Sequence, residues 1–185
     1  MLANASAGGA EQEAVRTAAA VLEQGADVVV ETCADPADLD RVLDGRGDRT
    51  LVVAGGDGSL HLAVATLRRR GELQAATPLG LIPMGTGNDL ARTLGVPLDP
   101  AEAARALVAG QPRALDLLVG DTGGVVVNAV HGGVGAVAAE RAAALKPALG
   151  ATAYPLGGIA AGVTAPGGEV TVTVSGTGLD RPGPP

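Results

Sequence analysis

The sequence predicts an α/β fold, a layered mainly parallel sheet with flanking helices, followed by the incomplete start of a β-rich second domain. Three observations carry this. Short apolar runs alternate with stretches of helical spacing through residues 1–113. Two of those runs, 51–54 and 78–82, break into glycine turns that lead directly into helices. Beyond Gly110-Gln111-Pro112 the pattern changes to β-type segments separated by turn residues, which places the domain division at 1–113 and 114–185.

Taken in order, Met1-Leu2-Ala3 is too short for a full buried strand of about five residues. The chain is therefore expected to begin inside its first strand and to continue through the turn Asn4-Ala5-Ser6-Ala7-Gly8-Gly9. Ala14, Val15, Ala18, Val21 and Leu22 recur at helical spacing within 11–24, and Gly25 stops that helix. Asp27-Val28-Val29-Val30-Glu31 reads as a strand buried on both faces and ended by Thr32. Asp35-Pro36 is an N-cap followed by a first-turn proline, and Leu39, Val42 and Leu43 give that helix its inner face. The central strand 51–54 leads to a helix with Leu60, Val64 and Leu67 on one stripe. A short helix spans 88–94, stopped by Gly95-Val96-Pro97, and another starts at Asp99-Pro100 with Ala103, Ala106 and Leu107 inward. Segments 114–119 and 125–130 flank a turn suited to a hairpin, and 169–175 alternates as a strand.

Composition narrows the function. Only 1% of residues are aromatic although 46% are hydrophobic, so the core must be close-packed Ala, Val and Leu. A net charge of -7 argues against nucleic acid as a partner and confines any contact with anionic membrane to a local patch. Cys33 is the single cysteine and reads as a buried or bystander thiol. No apolar run approaches the ~18–20 residues of a transmembrane span, and no secretory leader precedes the first turn, so a cytoplasmic protein is expected. Neither His61 nor His131 has ligands at metal spacing, so no zinc site is expected.

Gly55-Gly56-Asp57-Gly58-Ser59 removes side chains from a strand-to-helix turn, which allows positive φ and lets an anion sit against backbone N–H groups. The following helix directs its positive end at the same place. Asp57 would repel a bare phosphate, so it points to a bridging magnesium ion or to a general base. An ordinary N-capping aspartate is the simpler alternative. The second turn, Pro83-Met84-Gly85-Thr86-Gly87-Asn88-Asp89-Leu90-Ala91-Arg92, can face the same ligand at the carboxyl ends of the strands. Arg68-Arg69-Arg70 fits a helix C-terminus better than an anchor for headgroups or phosphates.

The pair GGDGS at 55–59 and PMGTGNDLAR at 83–92 resembles the catalytic-domain signature of the diacylglycerol kinase family, which includes bacterial lipid kinases and sphingosine kinases. Weaker matches extend the resemblance over 4–176. It implies transfer of the γ-phosphate of Mg-ATP to a lipid hydroxyl, with diacylglycerol as the default acceptor and ATP and Mg2+ as cofactors. Gly55, Gly56, Asp57, Gly58, Ser59, Leu60 and His61 would wrap the phosphates. Gly85, Thr86 and Gly87 would complete the cradle. Asn88 and Asp89 would hold the turn or reach phosphate through water or magnesium. Asn4, Ser6 and Gly8 match the family's first turn, although Ala5 replaces its usual proline, and Thr32 matches a nucleotide-contacting threonine. Asp57 is the residue assigned to catalysis and to the metal. Asn128 with the glycines 132–135, and 149–154 with Tyr154, match the start of the family's lipid-binding lobe. The acidic Asp-Gly-Glu motif found further along the family is not matched, so the chain is read as truncated at both ends, with brief peripheral membrane contact and a possible homodimer.

Rival readings fit less well. A Walker loop needs a lysine after its glycine, and Lys146 is the only lysine. Gly133-x-Gly135-x-x-Ala138 lacks the acidic residue that a dehydrogenase places about 20 residues on. NAD kinases share the GGDG turn and a related fold but build the second motif differently. A nucleotide-binding fragment or pseudokinase is the non-enzymatic alternative.

Overall fold

Four parallel strands make the main sheet, in the order β2-β1-β3-β4, in a computed structural model that describes residues 1–73 and 78–128. They are β1 (Leu2–Asn4), β2 (Glu31–Cys33), β3 (Leu51–Gly55) and β4 (Leu79–Pro83). Ala3 lies opposite Thr32 on one side and Ala54 on the other, and Val53 lies opposite Leu81. Parallel pairing requires crossovers, and these place helices on both faces. The helices are α1 (Gly9–Leu22), α2 (Pro36–Gly45), α3 (Asp57–Arg69), α4 (Asp89–Leu94) and α5 (Pro100–Ala109).

Alternation along β3 sends Ala54 to one face and Val53 to the other. On the first face α1 and α5 bury Val15, Ala18, Leu22, Ala103 and Ala104 with Ala54 and Ile82. The small residues let the two helices lie close, which is how a core poor in aromatics fills its space. On the second face Leu39, Leu43, Leu60, Val64 and Leu67 of α2 and α3 cover Leu2, Leu51 and Val53. The leucine stripe of α3 is buried as expected. In α5 the buried partner of Ala103 is Ala104, while Ala106 is exposed.

The valine run departs from expectation. The strand begins at Glu31 rather than Asp27, and Val29 and Val30 are 40% and 43% exposed. Position explains this: among the described residues β2 is an edge strand paired only with β1, whose three residues lie opposite Glu31, Thr32 and Cys33. The valines therefore precede the ladder, and only Val28 packs, on the α1 side. Thr32 consequently sits inside the strand instead of ending it. The expected hairpin is present in shorter form as β5 (Leu118–Val119) antiparallel to β6 (Val125–Val126), with Val125 buried in the α2/α3 core. His131, the glycines 132–135, Lys146, 149–154 with Tyr154, and 169–175 lie outside the described residues.

Arginines at the end of α3 tie it to α2. Arg69 donates to Asp40 at 2.7 Å, and Arg70 reaches Asp44 at 2.7 Å, Asp40 at 3.2 Å and Glu72. Arg69 and Arg70 thus hold structure, as the helix-end reading expected. The Arg69 bond, then the Arg70 bond, holds the Asp40 carboxyl below its usual range, and Asp44 and Glu72 hold the Arg70 guanidinium above its own. A carboxylate whose folded pKa is depressed stabilises above its unfolded value and loses that contribution as pH falls through the folded value. Arg70→Ala should therefore lower the Tm at neutral pH, with the gap to wild type closing by about pH 2. A gap independent of pH in thermal unfolding would rule out this coupling.

Candidate functional site

Because the strands are parallel, their carboxyl ends share one edge. The connection from β1 runs through α1 out to β2, while that from β3 runs through α3 to β4. This reversal between adjacent strands marks the crevice where open α/β sheets take ligands. Two glycine-bearing turns, 5–8 after β1 and 56 after β3, meet it, and their helices start on opposite faces of the sheet.

The helix ends at this crevice are bare. Elsewhere carboxylates cap them: Asp35 accepts from Asp38 N at 2.9 Å on α2, and Asp99 from Glu102 N at 3.0 Å on α5. The N-caps of α1 and α3 are Gly8 and Gly56, and neither has a side-chain cap bond. First-turn N–H groups have no partner within a helix, and the macrodipole adds partial positive charge there. Among the described residues no side chain caps either end, which leaves first-turn N–H groups of the kind that bind anions.

The glycine turn that follows β4 is locked to the one that follows β3. A Cβ on Gly56 would lie 2.9 Å from the Cα of Gly85, and one on Gly85 would lie 2.6 Å from the Cα of Gly56. Met84 N donates to Gly55 O at 3.0 Å. These glycines serve close approach: Gly55, Gly56 and Gly58 are not among the positive-φ residues, which corrects the expectation of left-handed geometry. Gly55 makes room for Ser59, whose Oγ would be 2.6 Å from an added Cβ, whereas Gly58 opens onto free space.

Asp57 joins the turns electrostatically. Its Oδ2 accepts from Asp89 N at 3.1 Å and its Oδ1 from Leu90 N at 3.3 Å, so it caps α4 from the neighbouring connection. The capping alternative thus applies to a helix other than its own. Asn88 adopts the left-handed conformation at φ 52 and is buried. Its Oδ1 accepts from Gly85 N at 2.8 Å, and its Nδ2 donates to Gly85 O at 2.6 Å. Of the two roles expected for Asn88, this is the turn-holding one.

The remaining candidates are spread along the same edge. Asn4 Oδ1 accepts from Ser6 N at 2.9 Å, while Ser6, Gly8, Thr86, Gly87 and Asp89 are exposed. Leu60 buries its side chain in the core and donates its N–H to Gly56 O, which leaves neither group for a ligand. His61 is exposed one turn into α3, and Thr32 is exposed within β2. Sequence reasoning passed over Arg92, whose Nε donates to Gly87 O at 2.9 Å. Its place one turn inside a helix behind a glycine turn was the available clue. A cavity of about 470 Å3 lies at the opposite edge of the sheet, bordered by Arg41, Arg46, Thr50 and Leu51. Two of its arginines already pair with Asp38 and Glu72, so the bare helix ends are the stronger candidate.

Residues 1–119 match the model of the diacylglycerol kinase catalytic domain. The chain belongs to that family. A probable YegS-like lipid kinase of Stenotrophomonas maltophilia is 40% identical over 145 residues, covering 74% of this chain and 47% of the relative. Probable YegS-like lipid kinases of Pseudomonas aeruginosa and Klebsiella pneumoniae are 40% and 32% identical, over 81% and 82% of this chain. The chain spans about half the length of the curated relatives it matches. No helix among the described residues is long and apolar enough to cross a membrane.

The glycines of these turns give a sharp contrast. Gly56→Ala and Gly85→Ala must each push the facing backbones apart and should each cost about 1–3 kcal/mol. Gly58→Ala, in a helix with open space around it, should be neutral or stabilising by up to about 1 kcal/mol. Chemical denaturation of the three variants checks this, and equal destabilisation by all three would contradict the contact.

Proposed function

We propose that the paired turns bind Mg-ATP and that the protein containing this chain transfers the γ-phosphate to a lipid hydroxyl, most directly that of diacylglycerol to give phosphatidic acid. The two uncapped helix ends meeting at the strand-order reversal carry this reading. Oxygens of the nucleotide phosphates would accept from the first-turn N–H groups of α1 and α3, at Gly9 and Ala10 and at Gly58 and Ser59. Thr86 and Gly87 would close the other side. Phosphoryl transfer depends mainly on positioning and charge neutralisation, both of which a rigid double turn can supply.

Magnesium suits the donor set. A Cβ on Gly87 would meet Asp57 Oδ2 at 3.2 Å and Asp89 Oδ1 at 3.6 Å, so two hard oxygen donors flank one bare glycine. Asp57 and Asp89 would hold the ion, which neutralises phosphate charge when bound. Asp57 would keep its backbone bonds to α4 while doing so, since carboxylate oxygens can accept more than one partner. Residues 114–185 are read as the beginning of a lipid-binding domain, and the protein as cytoplasmic with brief membrane contact and a possible homodimer.

Calorimetric titration with Mg-ATP, followed by a labelled-phosphate assay with diacylglycerol micelles, tests the reading. Saturable binding is expected, and Gly58→Ala should weaken it at least tenfold while the chain stays folded, because the new methyl group occupies the anion's space. A folded chain that binds no Mg-ATP would refute the nucleotide site. Binding without transfer by a full-length relative carrying these turns would favour the pseudokinase alternative.

A further inference from the structure

The second turn contains a cation that the nucleotide reading does not use. Arg92 is exposed on α4, with its Nε donating to the Gly87 carbonyl at 2.9 Å. Arg16, Arg41, Arg46, Arg69, Arg70 and Arg105 each meet a carboxylate. Among the described residues Arg92, Arg49, Arg68 and Arg113 meet none, and of these four Arg92 is the one that bonds a residue of the glycine turns. This matters because Gly87 belongs to the second glycine turn and lies beside Asp57 and Asp89, so the bond ties the guanidinium to the backbone of that turn. Anchoring through Nε fixes the plane of the fork and leaves four N–H donors on the two Nη atoms. A planar pair of donors at the edge of an anion cradle matches two oxygens of a phosphate.

We propose that Arg92 is a phosphate-binding residue of this site, held in place by Gly87 and presenting its Nη groups to a phosphate. The inference rests on the nucleotide reading for the identity of the site but adds a charge which that reading lacks. Its phosphate can belong to the nucleotide or to an anionic lipid headgroup, and the recognition chemistry is the same.

The test compares wild type with R92K and R92Q, with R92M as a second neutral variant should R92Q fail to fold. One arm is calorimetry with Mg-ATP. The other is co-sedimentation with phosphatidylcholine vesicles with and without phosphatidylglycerol. R92Q should weaken binding about tenfold in the arm that supplies the phosphate, and R92K, which keeps the charge, should lose much less. Equal losses for R92K and R92Q would reduce Arg92 to a prop for the turn and overturn the proposal. Unchanged affinities in both arms, with wild type binding Mg-ATP, would overturn it and leave the nucleotide reading standing. Wild type that ignores Mg-ATP but needs Arg92 for anionic vesicles would do the reverse. Wild type that binds in neither arm would overturn both.

Discussion

The bond from the Asp57 carboxylate to the backbone of α4 is the constraint on which the site depends. It joins the first residue of one helix to the first turn of another, thirty-two positions along the chain, with both oxygens engaged. The approach of Gly56 to Gly85 makes that reach possible, since a methyl group on either would collide with the other's Cα. Asn88 completes the arrangement by closing 85–88 on itself from a left-handed backbone. The turns therefore behave as one body, and a ligand seated on one is registered against the other.

Capping is distributed with a chemical logic. Helices that do not open onto the β1/β3 crevice each have one first-turn N–H bonded, by Asp35 on α2 and by Asp99 on α5, and α4 has two bonded by Asp57. The two helices that begin beside the reversal of strand order are preceded by glycine and left open. Glycine at these caps costs little, roughly a few tenths of a kcal/mol by comparison with a good cap, and leaves the first-turn N–H groups without a side-chain partner. An anion that bound there would supply that partner, which is the physical basis for assigning phosphate chemistry to this edge.

Much of this was legible in the sequence. The leucine stripe of α3, the Asp35 and Asp99 caps and the Gly95 stop are local signals, and each appears where the local pattern places it. Each glycine motif likewise marks its own strand-to-helix turn by local sequence. What the sequence concealed was non-local. Val29 and Val30 read as buried because a valine run carries no sign that its strand lies at a sheet edge and pairs over three residues only. The glycines of the first turn looked like positive-φ positions because close approach to Gly85 depends on a partner some thirty residues away. The resemblance put Leu60 in the cradle, whereas the helical stripe to which it also belonged turns its side chain into the core. The tether between Arg92 and Gly87 likewise appears only once the turn is folded.

The central claim is that the open ends of α1 and α3 receive phosphate together. The most direct measurement is amide chemical-shift mapping of the 15N-labelled chain during titration with Mg-ATP. The account predicts that the largest saturable shifts fall on Gly9, Ala10, Gly58 and Ser59, with the same apparent affinity at both helix ends. Saturable shifts confined to Arg41, Arg46 and Thr50 at the opposite edge, or shifts at only one of the two ends, would contradict it.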